Sequence, residues 1–160
     1  MTELRKSPDA LVDEVRPQVL TLRLIIGAMA FGEVVFLIVA LSMGPLASEA
    51  VALRMLEVMA AVSVAAPIVG GVVLRSLERR KVGGQESVSA AAVKVFSFRV
   101  IGSALAEGTG MFMLVVILLG GNAGLLLPLW LVTLVCLAFQ WPSGRRIVEA
   151  WQSGKQPHRR

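Results

Sequence analysis

Two glutamates carry most of what this sequence says about chemistry. Glu33 and Glu107 each stand inside a long apolar run, AMAFGEVVFLIVAL and ALAEGTGMFMLVVILL. An ionised carboxylate there is expensive and is kept only for a partner, an ion or a bound proton. Arg23 precedes Glu33 by about ten residues and Arg99 precedes Glu107 by about eight, so at about 1.5 Å per helical residue each carboxylate lies about 12–15 Å inside an apolar layer of about 30 Å. Both acids are expected close to the middle of that layer. Ser103 is one turn before Glu107, and Gly110 and Met111 are one turn after it. That gives Glu107 a hydroxyl within reach and free volume beside it, an arrangement suited to binding a proton or a cation. Glu33 shares its face with Met29, Ala30, Phe36 and Leu37. With no polar neighbour on its own helix, desolvation favours the neutral acid as a hydrogen-bond donor. Two such acids can bind and release a proton, or they can only hold helices together; the residue pattern admits both readings.

Other chemistry lacks its parts. Cys136 is the only cysteine and His158 the only histidine, which leaves no intrachain disulfide, no Cys or His metal cluster, no His-based triad and no haem ligand pair. No nucleophile and base stand at a useful spacing, so the chain is read as a non-enzyme without cofactor. Cys136, within the fourth apolar run, is read as a small packing residue. The formal net charge of +5 could suggest nucleic acid, but the placement of the basic residues has a different explanation, given by the elements that must position the two acids.

Of 160 residues, 56% are hydrophobic, and the mean hydropathy is +0.74, too apolar for a soluble domain of this size. Four runs can span a bilayer as helices: Leu20 to Leu41, Val51 to Leu74, Val95 to Leu119 and Leu125 to Trp141. The fold class expected is all-α, a four-transmembrane-helix bundle over 20–141, with a cytoplasmic N-terminal segment 1–19 and a basic tail 142–160. The first run is too long for a signal-peptide core and is preceded by acids, so it is read as retained. Arg5, Lys6, Arg16 and Arg23 precede the first span. Arg75, Arg79, Arg80, Lys81, Lys94 and Arg99 lie between the second and third, and Arg145, Arg146, Lys155, Arg159 and Arg160 follow the fourth. By the positive-inside rule, both termini and the central loop are cytoplasmic, in a bacterial inner membrane.

Local signals fill in the boundaries. Ser7, Pro8 and Asp9 predict a helix start and a short cytoplasmic helix over 8–16, joined to the first span at Pro17. Gly83 and Gly84 break the chain, and Ser87 caps the third helix. Pro67 is expected to kink the second span, and Pro128 to sit in the first turn of the fourth helix. Pro142 and Gly144 end that helix, ahead of a brief interfacial segment carrying Trp151 and a disordered end from Gly154. Arg54 and Glu57, one turn apart, are expected to pair in solvent. Ala28 with Gly32, and Ala104 with Gly108, put small residues one turn apart for close helix packing within or between subunits. The expected partners are the lipid bilayer and further copies of the chain, possible as a ring, with other membrane subunits admissible and no nucleic acid. Ala28, Ala30, Gly32 and Phe36 recur as Ala104, Ala106, Gly108 and Phe112 at an offset of about 76 residues, the trace of a parallel duplication of a two-helix unit.

The stretch ALAEGTGMFMLVVILL resembles the carboxylate-bearing helix of the c subunit, or proteolipid, of rotary ATP synthases. A preceding helix with Pro67, Gly70 and Gly71 and a basic loop extend the resemblance to a hairpin over Val51 to Gly121. The resemblance implies that Glu107 binds a translocated proton or cation. The whole chain is also similar to small four-helix bacterial membrane proteins with an Ala-Glu-Gly segment in helix three and a Pro followed by Arg-Ile after helix four. That similarity implies no activity.

Overall fold

The computed structural model describes residues 7–43 and 50–155. Among these residues the chain is all helix, without strands: α1 (Pro8–Met43), α2 (Ala50–Ser63), α3 (Ala65–Val82), α4 (Val88–Leu118), α5 (Ala123–Phe139) and α6 (Gly144–Lys155). Three helical stretches are long and apolar enough to cross a membrane: Pro8–Met43, Ala52–Val82 taken as one helix, and Val88–Leu118. A fourth results if α5 and the stretch Gly144–Gly154, bent by 62°, form one broken span.

The caps explain where the helices begin. Ser7 Oγ accepts from the N–H of Ala10, Ser87 Oγ from that of Ala90, and Asn122 Oδ1 from that of Leu125. Each satisfies a donor that the first turn leaves open. Pro67 removes the donor that Ser63 O would receive, and the helix breaks there, between α2 and α3. Pro17 makes no such break. α1 runs through it as one helix of 36 residues, about 54 Å long, longer than the apolar layer of about 30 Å that a spanning helix must cross. The expected separate helix over 8–16 is therefore the start of α1. Pro128 lies in the second turn of α5, because Asn122 starts the helix earlier than the apolar run suggested.

α4 is the central element, packed by α1, α3 and α5 along most of its length and by α2 and α6 near its ends. Three apolar clusters stack along it. At the basic end, Leu11, Val15 and Val19 of α1 meet Val88, Ala91, Ala92 and Val95 of α4 and Ile147, Val148 and Trp151 of α6. Leu22, Ile26, Ala106 and Leu137 form the middle layer. Met113, Leu114, Ile117, Leu126 and Trp130 close the far end with Ala60 and Val64.

Two details of the basic end differ from expectation. The apolar face of α6 is folded inward against α1 and α4, and Trp151 is buried with its indole N–H donating to Gln85 O at 3.0 Å. It is a packing residue of this core, not an anchor at headgroup level. The helix also continues through Gly154 to Lys155, and Gly154 and Gly83 meet backbone to backbone where a side chain on either would collide; residues 156–160, with His158, lie outside the described residues.

Candidate functional site

α1 faces the bundle through Leu11, Val15, Val19, Leu22, Ile26, Glu33 and Ala40. Ile26, Glu33 and Ala40 are one heptad apart, so the carboxylate occupies a position that the pattern otherwise gives to an apolar side chain. On α4 the opposing face is Ser103, Ala106, Gly110 and Met113, all buried. The two stripes meet at Glu33 and Gly110. A Cβ on Gly110 would lie 2.6 Å from Glu33 Oε2 and 2.8 Å from Oε1, which means the carboxyl group fills the space that glycine leaves on α4.

Glu33 has 0% of its surface accessible, and neither oxygen has a hydrogen-bond partner among the described residues. The indole of Trp130, from α5, and the carboxylate of Glu107 are the polar groups that act on it. Trp130 Nε1 is itself buried without a partner that meets hydrogen-bond geometry, so the indole stands near the carboxylate as a donor not yet engaged. Above and below are the middle and far apolar clusters, which exclude water from this level.

Glu107 is placed differently. It lies at the edge of the buried face of α4, half-buried, beside the exposed Gly108. Ser103 is fully buried with its hydroxyl unpartnered. The space that Gly110 provides therefore goes to Glu33 rather than to Glu107. Ala28, Gly32, Ala104 and Gly108 are all exposed, and a Cβ on Gly32 or Gly108 would meet nothing within 4 Å. Among the described residues, Gly32 and Gly108 therefore make no close helix contact. The close approaches are at other glycines: Gly70 against Leu105, Gly102 against Gln140, and Gly110 against Glu33.

No family model, curated protein or solved structure matches this chain. The chemistry must come from the residues themselves. Among the described residues, no three His, Cys, Asp or Glu side chains come together as a metal site. A carboxylate enclosed by apolar side chains can meet its charge with a proton, with a monovalent cation held by few oxygens, or with the Trp130 N–H.

A second polar level lies at the basic end. Arg75 of α3 donates to Phe139 O at 2.6 Å and Arg99 of α4 to the same carbonyl at 3.0 Å, while Arg23 of α1 donates to Pro142 O at 3.3 Å. Cations at the carboxyl end of a helix meet its open carbonyls and its dipole. Arg99 is also paired with Glu78 at 3.0 Å. At the opposite end Glu57 accepts from the backbone N–H of Asn122 at 2.5 Å. It caps α5, and the expected pairing with Arg54 does not form among the described residues.

Trp130 was not legible as part of the site, since a tryptophan in an apolar run reads as core. Gln140, whose side-chain amide packs against Gly102, is likewise not singled out by residue pattern. It was the one uncharged amide inside the last apolar run, and that was the available signal.

Proposed function

We propose that this chain is a four-span protein of the bacterial cytoplasmic membrane that binds a proton or a monovalent cation at Glu33, with Glu107 as its electrostatic neighbour. The observation that carries the reading is a fully buried carboxylate with no closed hydrogen bond and no basic partner among the described residues. An uncompensated charge in such a place costs several kcal/mol, and binding a proton or ion removes that cost. The orientation follows from the basic residues, with both termini and the turn between α3 and α4 in the cytoplasm.

A proteolipid-like role deepens this proposal. In it Glu107, half-buried beside an open glycine surface, is completed when a second copy packs on Ala104 and Gly108, and the copies form an oligomer or ring. The helix breaks after Ser63 and Phe139, at the offset of about 76 residues seen in the small-residue pattern, support an origin by duplication. A structural role for the acids is the other reading, favoured by Trp130 beside Glu33: there the carboxyl group only ties α1 to α5.

Carbodiimide labelling in lipid separates these readings. The reagent attacks protonated, buried carboxyls, so proton binding predicts preferential modification of Glu33 over the exposed Glu149, slowing as pH rises. Glu33→Gln should abolish the label and keep the fold, because the amide copies the neutral acid. Labelling no faster than at Glu149, with Glu33→Gln unfolding the chain, leaves only the structural role.

A further inference from the structure

Beside α5, toward the basic end, a cavity of about 220 Å3 opens between α3 and α5, lined by Pro67, Ile68, Gly71, Val72, Cys136 and Phe139 along its apolar walls and by Arg75 and Gln140 at its polar end. The ion-binding proposal uses none of these residues. Two features set this cavity apart from an ordinary groove on a lipid-facing surface. Gln140 is 5% exposed, and its side-chain amide lines the cavity. It reaches the cavity because two glycines admit it: a Cβ on Gly102 would lie 2.9 Å from the amide, and one on Gly71 would lie 3.7 Å from its nitrogen. The amide faces the cavity it lines, so a polar group entering the cavity can meet its donors and acceptor.

Arg75 is the second feature. Arg99 has Glu78 as counter-ion, whereas Arg75 has no carboxylate partner among the described residues. Among the described residues its hydrogen bond to Phe139 O uses a single one of its five donors, and its guanidinium carbon lies 5.4 Å from the Phe139 ring centroid. A cation and an open amide thus stand together at the mouth of an apolar slot. The volume is below the roughly 300–1,000 Å3 of sites for drug-sized molecules; it suits one stretch of hydrocarbon chain. The aromatic surfaces of Phe139 and Trp141 are 63% and 50% exposed at this level, as side chains at a membrane boundary are.

We infer that this cavity binds an anionic phospholipid of the leaflet at the basic end, with one acyl chain between α3 and α5, the phosphate on Arg75 and an ester or glycerol oxygen on Gln140. Charge complementarity selects the lipid: phosphate accepts from guanidinium in a directed, charge-assisted way, and the apolar slot requires a chain that free phosphate lacks. The leaflet is cytoplasmic if the proposed orientation holds, but the site itself does not depend on Glu33 binding an ion.

The test uses the full chain in phosphatidylcholine nanodiscs, with photoreactive phosphatidylglycerol or phosphatidylcholine carrying the reactive group within an acyl chain. The expected result is preferential crosslinking by the glycerol lipid, mapped to peptides containing Val72 and Cys136. Arg75→Gln should lower it about tenfold or more, the loss of one charge-assisted hydrogen bond. Gly71→Leu should block the slot, Arg80→Gln on the exposed surface should change nothing, and excess inorganic phosphate should not compete. Equal labelling by the two lipids in the wild type overturns the inference without reference to any variant. So does unchanged labelling in a folded Arg75→Gln protein, and competition by inorganic phosphate would assign the site to a free anion instead.

Discussion

Substituting alanine for Gly110 tests the packing of Glu33 in the most quantitative way. The new Cβ would come within 2.6 Å of Oε2 and 2.8 Å of Cδ, whereas ordinary contact begins at about 3.5 Å. The carboxyl group must therefore retreat by about 1 Å inside a site with no accessible surface. Overpacking of this kind costs about 1–3 kcal/mol, and alanine returns about 0.5–1 kcal/mol of helix propensity. The net loss is about 1–2 kcal/mol, or a melting temperature lower by about 2–8 °C for a chain of this size. Thermal unfolding in nanodiscs followed by tryptophan fluorescence would measure it. Gly108→Ala is the matched control, because a Cβ there meets nothing within 4 Å, and it should be neutral or slightly stabilising. In a Glu33→Ala background the clash is gone, so Gly110→Ala should no longer destabilise, giving a coupling of about 1–2 kcal/mol in the double-mutant cycle. Equal melting temperatures for Gly110→Ala and Gly108→Ala, or additive effects in the cycle, would refute the placement of Glu33 against α4.

Other consequences can be checked independently. With Cys136 replaced by alanine, a cysteine at Asn122 should react with an impermeant reagent outside intact cells and one at Gly84 should not; the reverse pattern rejects the orientation. Trp151→Ala removes a fully buried side chain and its bond to Gln85 O, at a cost of about 3–5 kcal/mol, and should expose α6 to limited proteolysis; an unchanged digestion pattern would mean that α6 is not packed as described. Ser87→Ala should cost about 1 kcal/mol through the lost cap of α4, read from the same melting assay. Gly108→Leu should loosen an oligomer seen by the wild type in mild detergent, and a wild type that is monomeric in lipid removes the basis for a ring.

Much of the helical frame could be read from residues with a single physical role. Ser7 and Ser87 cap because their hydroxyls replace missing backbone acceptors, and Gly83 ends α3 because the chain must turn against Gly154. Pro17 does not mark a junction, as a proline can persist inside a long helix when packing on both sides holds it, and Leu11, Val15 and Val19 supply that packing. The acids were found by their cost in an apolar run, yet their surroundings could not be assigned. Gly110 is one turn from Glu107 in the sequence and belongs to Glu33 in space, a relation created by the packing of α1 on α4. The small residues at Ala28, Gly32, Ala104 and Gly108 show the same limit: spacing reveals that a face is smooth, but only the fold determines whether that face turns inward. Gln140 and Trp130 gained their significance from neighbours on other helices.

The most direct test of the central claim is the infrared spectrum of the carboxyl region in lipid at neutral pH, taken as the difference between wild type and Glu33→Gln. A bound proton at Glu33 predicts a protonated-acid carbonyl band in a dry environment that is present in the wild type and absent from the variant. If the difference shows only the bands of an ionised carboxylate, insensitive to added sodium or potassium, Glu33 holds neither a proton nor a cation, and the proposed function fails.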